Sequence, residues 1–397
     1  MKYCVLIVDG AAGWPVAGRG GRTCLELAET PNLDALASKG TVGLVKTVPD
    51  GMEPSSACAC MSLLGYDPQI YYKGRAAIEA VSMGVPVGEG EAVFRCNLVS
   101  VDKGIMRSYC AGHIGTDEAT ELVNVLNKEL GDDNVRFYPG VGYRHLLKLK
   151  GHEDSLQAVC TPPHDIPEKA IAEYLPRGTG SKILNELMSA SKDILEKQAV
   201  NAARQLRGDE TADMIWLFWG SGRIHVMPSF RQAYGLSAAL TSGVDLLRGL
   251  GMMMGMDILE LPGITDGLDN DFKGQAEGAL EALENHDLVV IHIEAPDEAG
   301  HAGSVDKKVE AIQIIDKEVV GRLVAFQPGG LRLLVMPDHP TPIEIKTHVA
   351  EPVPFILWGP GFKSNGGARF TEAEAKKAGI FIENGYNIMA KLAGKDG

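Results

Sequence analysis

Short, uniformly apolar runs followed by charged or histidine side chains restrict the fold of this sequence most. A run of about six apolar residues is typical of a strand buried on both faces of a parallel sheet. Helix signals lie between the runs, as at Thr30-Pro31, where a cap residue and a proline open a segment that Gly40 ends. Strand and helix in alternation predict an α/β fold. The predicted core strands are 3–8, 214–219, 288–293 and 331–336.

The middle of the chain has a different pattern. It combines an alternating strand at 143–149 with amphipathic helices at 116–130 and 181–206, whereas helix-like stretches at 236–250 and 275–283 separate the late apolar runs. We therefore predict a doubly wound, mostly parallel core, formed by residues 1–88 and 206–397. A smaller inserted α+β domain, residues 89–205, interrupts it.

Composition excludes several classes of protein. The 397 residues carry 38 basic and 52 acidic side chains, a net charge of −14, which argues against a nucleic-acid-binding surface. No apolar run approaches the roughly 20 residues that span a bilayer, so no membrane association is expected. The seven cysteines form no C-x-x-C pair, which favours neither a disulfide framework nor a thiolate zinc site. We expect a cytoplasmic protein.

Candidate metal ligands follow three of the predicted strands. Ligands collect at the carboxyl ends of strands in open parallel sheets, so groups distant in sequence should converge there. Taken singly, each residue is more often a cap or a loop residue than a ligand, but three clusters at three strand ends favour a metal site. Carboxylates mixed with imidazoles suit Mn²⁺ or Zn²⁺ better than Ca²⁺. The candidates are Asp9, Asp297, His301, Asp338, His339 and His348.

A candidate nucleophile lies in the segment Glu53-Pro-Ser-Ser-Ala-Cys-Ala-Cys-Met-Ser. An apolar helix is predicted over 57–64 with Ser56 at its start, where backbone N–H groups and the helix dipole favour a bound phosphate. Metal coordination is one way to activate a serine hydroxyl. From the residues alone, the serine is equally well a simple helix cap.

Several stretches resemble one family of enzymes over essentially the whole chain. They include Val8-Asp9-Gly10, Ser62-Leu-Leu-Gly-Tyr-Asp-Pro, Gly74-Arg-Ala-Ala-Ile-Glu-Ala, Phe94-Arg-Cys-Asn-Leu-Val, Ala295-Pro-Asp-Glu-Ala-Gly-His and Pro337-Asp-His-Pro-Thr-Pro. The sequence resembles the cofactor-independent phosphoglycerate mutases, in particular the archaeal-type branch of the alkaline phosphatase superfamily. The resemblance implies an alkaline-phosphatase-like core and interconversion of 2- and 3-phosphoglycerate through a phosphoserine.

The resemblance also implies roles for individual residues. Asp297, His301 and His348 would hold one divalent ion. A second ion would be held by Asp9, Ser56, Asp338 and His339. Both ions are expected to be Mn²⁺, with Zn²⁺, Mg²⁺ or Co²⁺ as alternatives. Ser56 would carry the phosphoryl group, and the inserted domain would act as a lid over a small-molecule phosphate substrate. The expected substrate-binding or proton-transfer residues are Arg75, Arg95, Arg144, His113, His164 and Asp165, with His145 a further candidate. The oligomeric state is left open.

The chain departs from the family at the nucleophile. The branch usually has Gly-Ser-Asp where this chain has Ser55-Ser56-Ala57, and asparagine where it has Cys60. These changes keep three alternatives open. One is a homoserine-kinase-like phosphotransferase of the same branch, the second is a metal-dependent phosphatase, and the third is a catalytically silent relative that only binds a ligand.

Overall fold

The chain folds into two compact units. The computed structural model describes residues 1–223, 227–326 and 330–395. One unit combines Met1–Tyr72 with Val226–Gly397, and Lys73–His225 forms the other. Segments 73–88 and 206–223 thus belong to the second unit rather than to the core as the sequence suggested. The reason is that the helix in the first of these segments and the strand in the second pack on the long strand of the second unit.

The strands are spread along the whole chain. In the described part of the chain they are β1 (Lys2–Val8), β2 (Thr41–Val45), β3 (Glu91–Asp102), β4 (Ile105–Ser108), β5 (Val135–Tyr138), β6 (Arg144–Lys150), β7 (Met214–Ser221), β8 (Ala238–Thr241), β9 (Asp257–Ile258), β10 (Leu288–Ile293), β11 (Leu331–Met336), β12 (Val353–Trp358) and β13 (Phe381–Ile382).

The helices alternate with these strands in the first unit. Within the described residues they are α1 (Cys24–Leu27), α2 (Pro31–Lys39), α3 (Ser56–Leu63), α4 (Pro68–Tyr71), α5 (Arg75–Ser82), α6 (Thr116–Leu130), α7 (Ser181–Leu195), α8 (Ala199–Arg207), α9 (Phe230–Tyr234), α10 (Asp245–Met253), α11 (Phe272–Ala282), α12 (Ala295–His301), α13 (Val305–Ile314), α14 (Gly321–Ala325), α15 (Glu372–Lys377) and α16 (Ile388–Ala393). A π-helical segment, Ile315–Val320, joins α13 to α14. None of these helices is long and apolar enough to span a membrane.

The sheet of the first unit has the order β13-β2-β12-β11-β1-β10-β8-β9. Its centre is parallel, since β1 runs parallel to both β10 and β11, and only β12 is antiparallel to its two neighbours. The β1 residues 4–8 are almost completely buried, as expected of a strand covered on both faces. The predicted α/β class with a mostly parallel core is confirmed.

The second unit has a five-stranded antiparallel sheet in which β3 pairs with β4, β6 and β7. The run 214–219 was predicted as a parallel core strand, and that prediction is wrong, because β7 pairs antiparallel with β3 in this sheet. A uniformly apolar run indicates burial and does not specify the partner strand. The segment predicted as helix 236–250 also begins with a strand, β8, before α10.

Candidate metal centre

The loops that follow β1, β10 and β11 leave the sheet at the same edge. β1 lies between the other two strands in parallel register, with Ile7 beside both His292 and Met336. Asp9 therefore emerges next to the segments that follow β10 and β11, as expected at the carboxyl ends of parallel strands. Its backbone N–H donates to the carbonyl of Ile293 at 3.0 Å, which fixes the start of the loop.

A glycine is required directly after Asp9. Gly10 has a φ of +60°, and a Cβ at this position would lie 2.3 Å from Asp297 Oδ1 and 2.7 Å from Thr341 Oγ1. Its N–H donates to Asp338 Oδ1 at 3.2 Å. Both the left-handed conformation and the close approach exclude a side chain. Gly10 thus allows the three loops to meet.

The first ligand group consists of Asp297, His301 and His348. Asp297 and His301 lie four residues apart on α12, and His301 Nε2 is 3.0 Å from Asp297 Oδ2. His348 Nε2 is 3.5 Å from the same oxygen and 2.9 Å from His301 Nε2. The Nδ1 atoms contact backbone carbonyls, that of Lys346 at 2.9 Å and that of Pro54 at 3.3 Å. When each Nδ1–H donates to its carbonyl, two Nε2 lone pairs face each other, which is a fitting arrangement for a cation.

Asp9, Asp338 and His339 form a second group, and all three are fully buried. His339 Nε2 lies 3.2 Å from Asp338 Oδ2 and 3.7 Å from Asp9 Oδ1. Among the described residues, Asp9 Oδ1 has no hydrogen-bond partner. A buried carboxylate oxygen without a partner is costly, on the order of 1–3 kcal/mol. A bound cation would supply that partner, so the donor set fits a metal ion.

Ser56 lies beside the second group. It begins α3 as predicted, and the side chain of Ser55 caps the helix by accepting the N–H of Cys58 at 3.4 Å. Ser56 Oγ is 3.2 Å from His339 Nε2. The N-terminal end of α3, where the helix dipole is positive, is therefore close to the second group.

Burial and mutual repulsion govern the electrostatics of the carboxylates. Burial raises the pKa of Asp9 well above its usual range, and the charges of Asp338 and Asp297 raise it further. Burial also acts to raise the pKa of Asp297, but His301 and His348 outweigh it and hold that pKa well below its usual range. Three carboxylates this close repel one another, so positive charge is needed to keep them all ionised.

Two of the departures from the family pattern have a local explanation. Ser55 has a φ of −153°, an extended conformation that any residue adopts, so a glycine is not required there. The thiol of Cys60 donates to Asp338 Oδ2 over 3.6 Å. Burial and then the charge of Asp338 raise the pKa of this thiol, which keeps it protonated. Cys60 is therefore a hydrogen-bond donor to a candidate ligand and not a thiolate nucleophile.

Lys308 and Thr341 support the centre, and the sequence analysis did not identify them. Lys308 is fully buried, and its Nζ donates to the carbonyls of Ala12 at 3.1 Å and Thr341 at 2.7 Å. It therefore ties the loop after β1 to the loop after β11. The hydroxyl of Thr341 donates to Asp297 Oδ1. A single lysine in an amphipathic helix gives no sequence signal, whereas Thr341 lies within the motif 337–342.

His292 and Glu294 were also not predicted, yet they form a third group with Asp9. His292 Nε2 is 2.8 Å from Asp9 Oδ2 and 3.4 Å from Glu294 Oε2. His292 lies inside β10, all of whose residues are buried. An imidazole within such an apolar strand is easily interpreted as a core residue. Only Glu294, a carboxylate directly after the strand, could have indicated a further ligand group here.

The second unit contains a cluster of the predicted arginines. Arg75 Nε and Arg95 Nη1 both donate to Glu79 Oε1, at 2.9 and 2.8 Å. Burial acts to raise the pKa of Glu79, but the three arginines, including Arg144, outweigh it and lower the pKa. The guanidinium group of Arg75 also lies 4.7 Å from the ring centre of Trp219. Arg75 and Arg95 share this single carboxylate, and two guanidinium groups on one carboxylate leave net positive charge, which favours binding of an anion.

His113, His164 and Asp165 are exposed and both histidines lie beside aromatic rings, whereas His145 is buried. The ring of His164 is 5.4 Å from that of Trp219, and its Nε2 is 3.9 Å from Asp165 Oδ1. His113 has a φ of +54°, an uncommon value for a residue other than glycine, and its ring lies 6.5 Å from that of Tyr143. The guanidinium group of Arg144 in turn lies 4.7 Å from the centre of the Tyr143 ring. His164 and His113 are thus each one aromatic ring away from the arginine cluster.

Two solved structures share this architecture over the whole chain. A protein from Pyrococcus horikoshii is 26% identical, with a TM-score of 0.83 over 100% of this chain and 98% of its own. A cofactor-independent phosphoglycerate mutase from Thermoplasma acidophilum is 25% identical, with a TM-score of 0.65 over 100% of both chains. The protein is therefore an α/β protein of the cofactor-independent phosphoglycerate mutase fold.

The sequence relatives specify the family. The model of the 2,3-bisphosphoglycerate-independent phosphoglycerate mutases matches residues 37–201. A protein of that name from Methanothrix thermoacetophila is 46% identical over 99% of both chains. A relative from Geobacter sulfurreducens, described as a mutase of the same kind, is 43% identical over 99% of both. This chain belongs to the 2,3-bisphosphoglycerate-independent phosphoglycerate mutase family, which confirms the resemblance seen in the sequence.

Proposed function

We propose that this chain is an enzyme that interconverts 2- and 3-phosphoglycerate through a phosphoserine on Ser56. The observation that carries the proposal is the position of Ser56 Oγ, 3.2 Å from His339 Nε2, at the start of a helix and beside buried candidate ligands. Membership of the mutase family supports the choice of substrate.

The two ligand groups next to Ser56 would hold two divalent cations. Asp297, His301 and His348 would bind one, and Asp9, Asp338 and His339 with Ser56 would bind the other. The mixed oxygen and nitrogen donors suit Mn²⁺ or Zn²⁺ better than Ca²⁺, and the family resemblance favours Mn²⁺ of the two. Bound cations would increase the acidity of the serine hydroxyl and neutralise charge on the phosphoryl oxygens.

The chain's own groups account for the rest of the reaction. The N–H groups of the first turn of α3, other than that of Cys58, which the Ser55 hydroxyl accepts, would bind the phosphoryl oxygens of the substrate. Ser56 Oγ forms a bond to phosphorus while the bond from phosphorus to the glycerate oxygen breaks, and the serine proton is in net transferred to that oxygen. The phosphoryl group then returns from Ser56 to the other hydroxyl of glycerate, so no phosphate is lost.

We further propose that the arginine cluster of the second unit, Arg75, Arg95 and Arg144, binds anionic groups of the substrate. Support comes from the net positive charge around Glu79. His113, His164 and Asp165 would orient the glycerate or transfer protons, roles suited to an imidazole that titrates near neutrality. Because all seven cysteines have free thiols, we also propose a reducing compartment, the cytoplasm.

The direct test offers 3-phosphoglycerate and Mn²⁺ to the pure protein and measures 2-phosphoglycerate, without added 2,3-bisphosphoglycerate. Ser56→Ala should lose nearly all activity and no longer acquire acid-stable phosphate, because the acceptor oxygen is gone. Ser62→Ala is the matched control, since Ser62 is a buried serine of the same helix that lies outside the ligand groups. It should retain both activity and the phosphoserine.

Three outcomes would contradict the proposal. Phosphate found on a residue other than Ser56 after acid quenching would exclude the mechanism. Formation of phosphohomoserine from ATP and homoserine, without mutase activity in the same preparation, would move the chain to the homoserine-kinase-like alternative. Release of inorganic phosphate alone would favour the phosphatase.

A further inference from the structure

Strand β7 of the second unit contains a β-bulge at Trp219. The strand pairs with β3 up to Phe218 and again at Ser221. Between these two pairs, Trp219 and Gly220 together lie opposite a single residue of β3, Phe94. A bulge of this kind bends its strand and redirects a side chain, and bulges are over-represented next to active sites.

The backbone of Trp219 has a conformation that residues other than glycine rarely adopt. Its φ is +48°, and the first residue of a bulge with a left-handed conformation is usually glycine. Gly220 follows it directly, where a Cβ would lie 2.4 Å from Phe94 Cε1. Backbone strain of this kind persists only where the surrounding structure enforces it, and it clusters at functional sites. A glycine would relieve the strain at position 219, so the indole side chain requires an explanation of its own.

The bulge brings the Trp219 ring to the arginine cluster. Consecutive side chains of a regular strand point to opposite faces of the sheet, yet the rings of Phe218 and Trp219 are 4.7 Å apart. Both rings lie near the guanidinium carbon of Arg95, at 5.8 and 5.7 Å. The guanidinium group of Arg75 is closer, 4.7 Å from the Trp219 ring centre, which is within the range of a cation–π contact. The indole ring thus covers one side of the Arg75 guanidinium group.

Arg75 keeps hydrogen-bond donors for a ligand in this arrangement. Its Nε donates to Glu79 Oε1 at 2.9 Å, and the described part of the chain accepts no hydrogen bond from its two terminal NH₂ groups. The Nε atom of the neighbouring Arg95 is buried and likewise has no partner within the described residues. The carboxylate and the indole ring therefore hold the Arg75 guanidinium plane in place, while its outer N–H groups remain available to a planar or tetrahedral anion.

From these observations we propose that Trp219 is a positioning residue, which holds the Arg75 guanidinium group in the orientation that binds an anionic group of the phosphoglycerate. The inference rests on the proposed function for the assignment of the arginine cluster to the substrate. Trp219 takes no part in the transfer of the phosphoryl group. Its loss should therefore raise KM and leave kcat nearly unchanged, as expected for a contact that is equally strong in the ground state and the transition state.

The first test measures binding without turnover. The dissociation constant of 3-phosphoglycerate is measured by titration calorimetry on the Mn²⁺-loaded Ser56→Ala chain, alone and with further substitutions. Trp219→Leu keeps a Cβ and an apolar side chain, and it should weaken binding by about 3–30-fold, the range of a cation–π contact. Trp219→Phe keeps an aromatic face and should recover most of the lost affinity. The matched control is Trp358→Leu, at a half-buried tryptophan of β12 in the first unit, which should leave the affinity unchanged.

A double substitution tests whether Trp219 acts through Arg75. The effects of two residues that share one contact are not additive. Trp219→Leu should therefore cost much less affinity in an Arg75→Ala chain than in a chain with the arginine intact. Full additivity would overturn the proposal. So would unchanged affinity in Trp219→Leu, or a fall in kcat without a rise in KM.

Tryptophan fluorescence covers the case in which Trp219→Leu does not fold. An anion bound to Arg75 changes the charge beside the indole ring, so 3-phosphoglycerate should change the emission of the unaltered chain. The change should largely disappear in Trp219→Phe and persist in Trp358→Phe. No change in the unaltered chain, or a change that persists in full in Trp219→Phe, would overturn the proposal.

The binding and fluorescence results do not require turnover, so they are distinguishable from a failure of the proposed function. A chain that binds 3-phosphoglycerate through Trp219 and Arg75, but forms neither 2-phosphoglycerate nor a phosphoserine on Ser56, would refute the proposed function alone. A chain that forms both products, with the same KM in Trp219→Leu as in the unaltered chain, would refute only the role of Trp219.

Discussion

Substituting Gly10 tests whether the ligand loops meet as tightly as the structure indicates. In Gly10→Ala the new Cβ would lie 2.3 Å from Asp297 Oδ1, far inside van der Waals contact, on a residue with a φ of +60°. The left-handed conformation costs about 1–2 kcal/mol for a residue with a Cβ, and overpacking a rigid site costs about 1–3 kcal/mol. We therefore expect the free energy of unfolding to fall by about 2–5 kcal/mol.

Denaturant unfolding of the metal-free protein measures this loss, and a second glycine provides the control. Gly18 has a φ of +76°, and, its two chain neighbours aside, no heavy atom of the described residues lies within 4 Å of a Cβ built there. Gly18→Ala should therefore show only the conformational cost, about 1–2 kcal/mol. Gly10→Ala should also bind Mn²⁺ more weakly, because Asp297 must move, whereas Gly18→Ala should not. Equal destabilisation in both variants, with unchanged Mn²⁺ affinity, would refute the close contact between the loops.

Two further predictions concern metal binding and pH. Asp338→Ala combined with His339→Ala should remove one equivalent of bound metal in elemental analysis and abolish turnover; unchanged metal content would contradict the ligand assignment. Burial, and then the charge of Arg95, lower the pKa of His145 to about 3, so its neutral form is favoured in the folded chain. Below pH 6.5, protonation of this imidazole therefore stabilises the unfolded state. At pH 5 His145 alone should lower the free energy of unfolding by about 2 kcal/mol. Denaturant unfolding at pH 7 and pH 5 should show a smaller loss of stability in His145→Gln, which keeps an acceptor for the Gly140 N–H. An equal loss of stability in the variant and the unaltered chain would contradict this assignment to His145.

The core of the fold and the convergence of the candidate ligands could be predicted because their signals are local. The runs that became β1, β10 and β11 are uniformly apolar, and the candidate ligands follow them within a few residues. Since parallel strands end at a common edge, the convergence of Asp9, Asp297 and Asp338 followed from topology alone. Helix α6 agrees with its predicted limits because its apolar residues recur at helical spacing.

The features that the sequence could not reveal depend on contacts between distant segments. β7 looks like a core strand, yet its partner is β3, and no local pattern encodes that choice. The boundary of the second unit shifts for the same reason. Likewise, the buried ion pairs of Glu79 and the link made by Lys308 join residues whose types carry no periodic signal. His292 was not predicted because it lies within an apolar strand, where the sequence pattern indicates burial but no role for the imidazole.

The central position of β1 has a consequence for synthesis of the chain. Tyr3 is paired with Leu288 on one side and Arg332 on the other, so β1 is synthesised long before either of its partner strands. Lys73–His225 has an antiparallel sheet of its own and is complete much earlier. Parallel pairing between strands far apart in sequence forms slowly. The apolar β1 therefore remains exposed until β10 and β11 have been synthesised. We therefore expect nascent chains that end before Asp338 to lack both complete ligand groups and to depend on chaperones, even though their middle portion is already folded.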